Sequence, residues 1–420
     1  MERYRLIMRI MKQIGNQSQP MKIGMTITII GILLMSATLR APITVLSPLI
    51  GSIRAETGIG NAMAGMLTTL PLLAFSICSL LAPKMARRIG TEWTLFTGLL
   101  LITFGLVVRY FNPVWMLFAG TALVGVGIAL GNVLLPSLVK RDFQHHLGIM
   151  TGAYAVVMNG MAGLASGISI PLSSGMGLGW RGALSIWVIP TFIILLIWIP
   201  LLKQSKPSLS ANQRSKRSLW SSTLAWQVTF FMGLQSLFFY ITIAWMPEIL
   251  QAKGFSEAAS GWILSSMQFV SLPATFIIPI MAARFHNQRG LVSISMLGLL
   301  VGVAGMMVGN QTVTIISVLL MGICCGAAFS LATMFFMLRA RDSETSAELS
   351  GMAQSVGYLL AAAGPTVFGL LHDLTNSWLT PLWLLILSAV LMWAAGMGAG
   401  RKGYVSESIV NDMKRQSAQA

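Results

Sequence analysis

KQSKPSLSANQRSKRSLWSS, residues 203–222, is a long basic and Ser-rich stretch in the interior of the chain with no apolar period. Such a composition is expected of a solvated linker. On both sides the sequence turns apolar in runs of the length that a membrane span requires, about 20 residues. Six runs precede it, near 24–47, 60–82, 93–110, 114–138, 148–171 and 182–202. Six follow it, near 223–247, 260–281, 291–309, 312–337, 350–371 and 380–400. The pattern predicts an all-α membrane protein with twelve transmembrane helices in two six-helix pseudo-repeats. Its expected parts are a segment 1–22, a bundle 23–202, the linker 203–222, a second bundle 223–400 and a tail 401–420.

Composition points the same way. Of 420 residues 55% are hydrophobic and 10% charged, and the mean hydropathy is +0.75. A soluble domain carries about 25% charged residues, so lipid is the solvent for most of this surface. The net charge of +16 raises nucleic acid as a partner, but the cations lie scattered between apolar runs and form no basic stripe. Their placement reports orientation instead. Of the 28 Lys and Arg, 23 fall in the first segment, the turns after even-numbered runs, the linker and the tail. Arg40, Arg54, Arg109, Arg181 and Lys253 fall on the other side. The positive-inside rule therefore expects both termini and the linker in the cytoplasm of a multi-pass plasma-membrane protein. The first run, about 24 residues, is too long for the apolar core of a signal peptide and is expected as a retained span.

The halves repeat. Gly58-Ile-Gly-Asn-Ala-Met-Ala-Gly65 aligns with Gly254-Phe-Ser-Glu-Ala-Ala-Ser-Gly261, 196 positions later. Pro83-Lys-Met-Ala86 aligns with Pro279-Ile-Met-Ala282 at the same offset. Further on, Arg141-Asp142 corresponds to Arg341-Asp342, and Tyr154 lies near the level of Tyr358. Two bundles of like topology are expected, related by an axis along the membrane normal, with a cavity between them near mid-bilayer.

With these residues in view, the chain resembles the major facilitator superfamily. The turn Pro83-Lys-Met-Ala-Arg-Arg-Ile-Gly-Thr-Glu92 is similar to the superfamily's glycine, acid and arginine motif between spans 2 and 3, although Pro83 and Arg87 stand where that pattern has glycine and aspartate. Leu39-Arg-Ala-Pro42, Gly127-Ile-Ala-Leu-Gly-Asn-Val-Leu-Leu-Pro136, Lys140-Arg-Asp-Phe143, Thr151-Gly-Ala-Tyr154 and Gly179-Trp-Arg181 resemble the cyanate permease and nitroimidazole transporter group. The resemblance implies a secondary carrier of small molecules that works by alternating access, with spans 1, 4, 7 and 10 lining the cavity. Substrates proposed in that group run from small anions to neutral heteroaromatic compounds.

Arg40 is the one charged residue well inside an expected span. Arginine at a helix centre costs about 2.5–3.5 kcal/mol on insertion scales, so such a residue usually faces protein or water. Ser36, Arg40, Thr44 and Ser47 follow helical spacing and form one polar stripe. Three readings of Arg40 stand: it faces a cavity, it snorkels to the outer headgroups on its long stem, or it has a purely structural hydrogen-bonding role. At the equivalent level of span 7 stand Phe238, Phe239 and Tyr240, without a charge. A guanidinium opposite aromatic rings suits a small planar anion. The candidate substrate contacts are Arg40, Ser36, Thr44, Asn132, Tyr154, Gln235, Tyr240, Gln354 and Tyr358. Asn159 and Gln268 are further lone amides in apolar runs that either line the cavity or link helices. Arg87, Arg88, Arg141, Asp142, Arg341 and Asp342, at the basic ends of the spans, are the candidates for conformational gating.

Other classes find no support. No phosphate-binding G-x-x-x-x-G-K-[ST] motif occurs, no HExxH, and no paired carboxylate lies within a span, which argues against an ATP-driven pump and against an enzyme. Cys78, Cys324 and Cys325 lie in apolar runs without ligand spacing, and the 28 methionines do not cluster. No cofactor or metal is expected. The expected partners are a small-molecule substrate and membrane lipid, and the expected state is a monomer. The function that follows is secondary active transport of a small anionic or polar solute, cyanate-like in chemistry. Efflux of neutral heteroaromatic compounds such as nitroimidazoles is the alternative.

Overall fold

The structure is a computed structural model that describes residues 23–203 and 219–405. The segment 1–22, most of the linker (204–218) and the tail from 406 lie outside the described residues. Among those described, every regular element is helical. The spans are α1 (Met25–Thr57), α2 (Gly65–Cys78 and, after a bend of 54°, Ala82–Ile89), α3 (Thr91–Val108), α4 (Val114–Asp142), α5 (Gln144–Gly175) and α6 (Gly179–Leu202). The second half contributes α7 (Thr223–Ala252), α8 (Ala259–Arg284), α9 (Arg289–Val308), α10 (Gln311–Leu338), α11 (Ser343–Thr375) and α12 (Leu379–Ala399). Counting the bent pair as one, twelve helices are long and apolar enough to cross a membrane.

The repeat seen in the sequence is also a repeat of packing. In the first half α1 packs on α5 and α6, α4 on α2 and α3, and α3 on α6; in the second α7 packs on α11 and α12, α10 on α8 and α9, and α9 on α12. The shared glycine explains itself: Gly58 at φ 69° and Gly254 at φ 86° both occupy the left-handed region just past the end of α1 and of α7. Only glycine enters that region without a side-chain penalty. The helix starts differ between the halves. Ser222, Ser256, Asn310 and Asp342 cap α7, α8, α10 and α11 by accepting from the backbone N–H three residues on.

Both faces of most spans are apolar, as lipid on one side and protein on the other demand. On α3, Leu95, Leu99, Ile102 and Leu106 are buried while Leu100, Phe104 and Val107 are exposed. Small residues allow close helix contact. A β-carbon on Gly105 would stand 2.6 Å from the Gly120 carbonyl oxygen, and one on Gly120 would stand 2.5 Å from that of Gly105.

The halves meet chiefly through α5 on α8 and α2 on α11, which the repeat makes equivalent pairs. They touch closely at the end that carries Arg87, Arg141, Arg284 and Arg339, called here the basic end, and part toward the opposite end. A β-carbon on Gly148 would lie 2.6 Å from the Pro279 carbonyl oxygen, and one on Gly152 would lie 2.7 Å from that of Phe276. Further along α5, one on Gly163 meets Phe269 at 3.7 Å, and one on Gly167 meets nothing within 4 Å. On the other pair, Gly351 of α11 lies against the Ser79 carbonyl at the α2 bend, and the Ser355 hydroxyl donates to Ser76 O at 2.5 Å.

α1 departs from the expected continuous stripe. Its helix stops at Thr38, resumes over Ala41–Thr44 with Pro42 in the first turn, tightens over Ser47–Leu49 and ends with Ile50–Thr57. Proline cannot donate its N–H, which accounts for a break at this level. The break divides the polar stripe. Ser36 is fully buried and donates to Leu33 O at 2.7 Å, and Thr44 donates to Ala162 O of α5 at 3.0 Å.

Candidate functional site

Two cavities lie between the halves, one nearer the opposite end and one nearer the basic end, with Phe329 of α10 lining both. The outer cavity is walled by Arg40 and Asn159 from the first half, and by Gln235, Phe239, Gln268, Ser271 and Cys325 from the second. The Arg40 guanidinium donates to Asn159 Oδ1 at 2.8 Å. Its carbon stands 4.6 Å from the ring centre of Phe329 and 5.2 Å from that of Phe239. A cation placed so over two ring faces is held by their quadrupoles, each worth about 0.5–2 kcal/mol according to desolvation. Thus the cation of one half rests on the aromatics of the other. None of the residues lining either cavity is Asp, Glu or His.

The inner cavity is neutral. Asn132, Tyr154, Thr333, Gln354 and Tyr358 line it among Leu39, Met158 and Phe336. The Gln354 amide donates to Asn132 O at 3.0 Å and to Ser350 Oγ at 2.8 Å, tying α11 to α4 across the halves. Tyr358 also packs on Phe75 of α2, with ring centres 5.0 Å apart. Tyr154 and Tyr358 thus reach one chamber from opposite halves.

Of the nine expected contacts, Arg40, Asn132, Tyr154, Gln235, Gln354 and Tyr358 line these cavities. Tyr240 stands beside them, its ring edge-on to Phe239 at 5.4 Å. Ser36 and Thr44 do not line them: Ser36, before the break, donates to Leu33 O of its own turn, and Thr44, after it, donates to Ala162 O of α5. Phe329 went unnoticed in the sequence, where it is one aromatic in an apolar run and carries no spacing signal.

At the basic end Arg87 of α2 pairs across the halves with Glu348 and, at 3.7 Å, with Glu344 of α11. Arg88 is exposed. Arg141 pairs with Glu92 at 2.6 Å and Asp142 at 2.7 Å, all within the first half. The expected correspondence of Arg141-Asp142 with Arg341-Asp342 needs correction. Asp342 caps α11 through Thr345 N at 2.8 Å, and Arg341 lies over the Tyr404 ring at 5.4 Å. The structural counterpart of Arg141–Glu92 is Arg339, which bonds Gln288 at the start of α9 and the Ala399 carbonyl of α12. A further contact across the halves comes from Lys140. Its ammonium, almost wholly buried, donates to the Met337 and Ala340 carbonyls at the end of α10. Cations are favoured where a helix ends and its last carbonyls lack partners.

No cluster of three or more His, Cys, Asp or Glu able to hold a metal ion occurs among the described residues. The two helical bundles thus close at one end and part at the other, as the halves of a membrane carrier do, with the Arg40 cation lodged between them.

Comparison with known proteins gives the same answer. The family model of the Major Facilitator Superfamily matches residues 28–365 and 228–402. The chain is 46% identical over 391 residues to an uncharacterized transporter, YycB, of Bacillus subtilis (strain 168), covering 93% of this chain and 96% of that protein. It is 41% identical to the 2-nitroimidazole transporter of Escherichia coli (strain K12), covering 89% and 95%. It is 24% identical to the cyanate transport protein CynX of the same organism, covering 83% and 90%. Among solved structures, the proton:xylose symporter XylE matches with a TM-score of 0.73 over 92% of this chain and 98% of its own, at 13% identity, a likeness of fold alone. The chain is therefore a multi-pass membrane transporter and belongs to the Major Facilitator Superfamily.

Proposed function

We propose that this transporter is a secondary carrier that moves a small planar anion across the plasma membrane by alternating access. The observation that carries the proposal is the Arg40 guanidinium in the outer cavity, braced by Asn159 and two rings and faced by no carboxylate among the lining residues. An uncompensated cation out of bulk water attracts an anion strongly, and a planar fork of donors suits a planar acceptor. In this reading the two bundles 23–202 and 223–400, joined by the linker 203–222, rock against each other around the site, the basic end with both termini faces the cytoplasm, and the conformation described is the one open to the outside. Arg87 and Lys140 then close the cytoplasmic side.

The test is thermal unfolding of the purified protein against a panel of small anions and neutral heteroaromatic compounds, for wild type and Arg40→Ala. A ligand at about 100 times its Kd adds roughly 2.7 kcal/mol of stability. Stabilisation of wild type by an anion, lost in Arg40→Ala and partly kept in Arg40→Lys, is expected. Full anion binding by Arg40→Ala overturns the proposal. A second reading, export of a neutral heteroaromatic compound, is favoured by Phe239, Phe329, Tyr154 and Tyr358 around the cavities and by the name of the relative at 41% identity. Equal stabilisation of both variants by neutral compounds alone selects it.

A further inference from the structure

Arg109 sits at the end of α3, in what the sequence presents as an outer turn, yet its side chain is fully buried. Its Nη1 donates to the Pro42 carbonyl of α1 at 2.6 Å, and its Nε donates to Thr121 Oγ1 of α4 at 3.1 Å. Thr121 in turn donates to Leu117 O at 2.6 Å. Room for the arginine stem comes from Gly120, where a β-carbon would stand 2.9 Å from Arg109 Cγ. A buried guanidinium costs several kcal/mol in desolvation, which the Nε and Nη1 bonds offset, while Nη2 finds no partner among the described residues.

The Pro42 carbonyl is left open where α1 tightens after Thr44, just past the break. The two backbone donors next in line are turned elsewhere: Val45 N goes to Ala41 O and Leu46 N to Ile43 O. A carbonyl left without a donor inside a membrane is expensive. Arg109 supplies that donor two residues from Arg40. We infer that Arg109 is a positioning residue for solute binding: by bonding the Pro42 carbonyl at the break in α1, it fixes the backbone turn that aims the Arg40 guanidinium into the outer cavity.

The inference rests on the proposed role of Arg40, so its test is built to separate the two. Anion affinity is measured by isothermal titration for wild type, Arg40→Ala, Arg109→Met, Arg109→Lys and Thr121→Val, together with ligand-free thermal stability. Arg109→Met is expected to weaken anion binding about tenfold or more, with Arg109→Lys recovering part of the loss because its ammonium still donates one bond. Thr121→Val, which leaves the charge and the Pro42 bond in place, is expected to weaken binding less. Separately, in a background of Cys78→Ala, Cys324→Ala and Cys325→Ala, reporter cysteines Arg40→Cys and Ser271→Cys, on opposite walls of the cavity, are labelled with a small methanethiosulfonate. Arg109→Met is expected to change the labelling rate at position 40 about fivefold and to leave that at 271 unaltered. A general loss of fold moves both rates. If Arg109→Met does not fold, the same readings are taken on Arg109→Lys. Unchanged labelling at position 40 in a folded Arg109 variant overturns the inference whatever the anion does. Lost anion binding in Arg40→Ala together with wild-type affinity in the Arg109 variants overturns it while the role of Arg40 stands. Anion binding kept in Arg40→Ala removes the role of Arg40 and this inference's functional half with it.

Discussion

α1 and α7 hold equivalent places in the two halves, each packed on the fifth and sixth helices of its own bundle and each followed by a glycine with positive φ. Where α1 reads Leu39-Arg-Ala-Pro-Ile-Thr44, α7 reads Gln235-Ser-Leu-Phe-Phe-Tyr240 at the offset of 196. α7 runs unbroken over Thr223–Ala252, with Ser236 and Phe238 buried, while α1 stops, turns and restarts around Arg40. One helix spends its regularity to present a cation, and the other keeps its regularity to present rings. The first half accommodates this irregular stretch with a side-chain donor: Leu46 N turns to Ile43 O, and Arg109 bonds the Pro42 carbonyl so left open. At the position equivalent to Arg109, 196 residues on, stands Gly305.

That contrast is open to attack from either side. Ser236→Arg places on α7 the charge that α1 carries, but at a buried position with no break and no prepared donor or acceptor. It is expected to lower stability by about 3 kcal/mol, read as a fall in melting temperature, and not to restore transport to Arg40→Ser. Pro42→Ala does the reverse and makes α1 more like α7. The restored N–H is expected to hold or raise thermal stability while kcat/KM for transport falls about tenfold, a divergence that no general loss of fold produces. Phe239→Ala removes one of the two rings that α7 and α10 offer to Arg40, and is expected to weaken solute binding about fivefold, or roughly 1 kcal/mol.

The smallest effect is expected at the basic end, where the repeat is again unequal: α2 carries Arg87 and α8 has Ala283 at the same register. The Arg87 and Glu348 side chains are 32% and 38% exposed, so solvent and salt screen the pair. Arg87→Gln is expected to cost less than about 1 kcal/mol, and the difference from wild type in spin-label distances across that end should shrink further at high salt.

The twelve spans, the two halves and the place of Arg40 within a span were legible in the sequence, because lipid demands long apolar runs and makes a charge inside one conspicuous. Asn132, Gln235 and Gln354 were visible for the same reason, as polar groups in apolar surroundings. Ser36 and Thr44 were placed by ideal helical spacing, and spacing fails once a proline interrupts the ladder that defines it. Arg109 and Lys140 were counted as solvent-facing charges at span ends, since a cation in a turn and a cation bonded to another helix's carbonyls look alike in one dimension.

Sequence alone determined that this protein lies in a membrane, how many times it crosses it and that it is built twice, since each of these follows from hydropathy and from residue identity at a fixed offset. Tertiary structure decided which polar groups share a chamber, that the Arg40 cation of one half leans on Phe239 and Phe329 of the other, and that Arg109 bonds the Pro42 carbonyl, from which Leu46 N turns away. Those contacts join residues tens to hundreds of positions apart. Their partners are backbone carbonyls and ring faces, and no local pattern in a single sequence distinguishes one carbonyl or one phenylalanine from another.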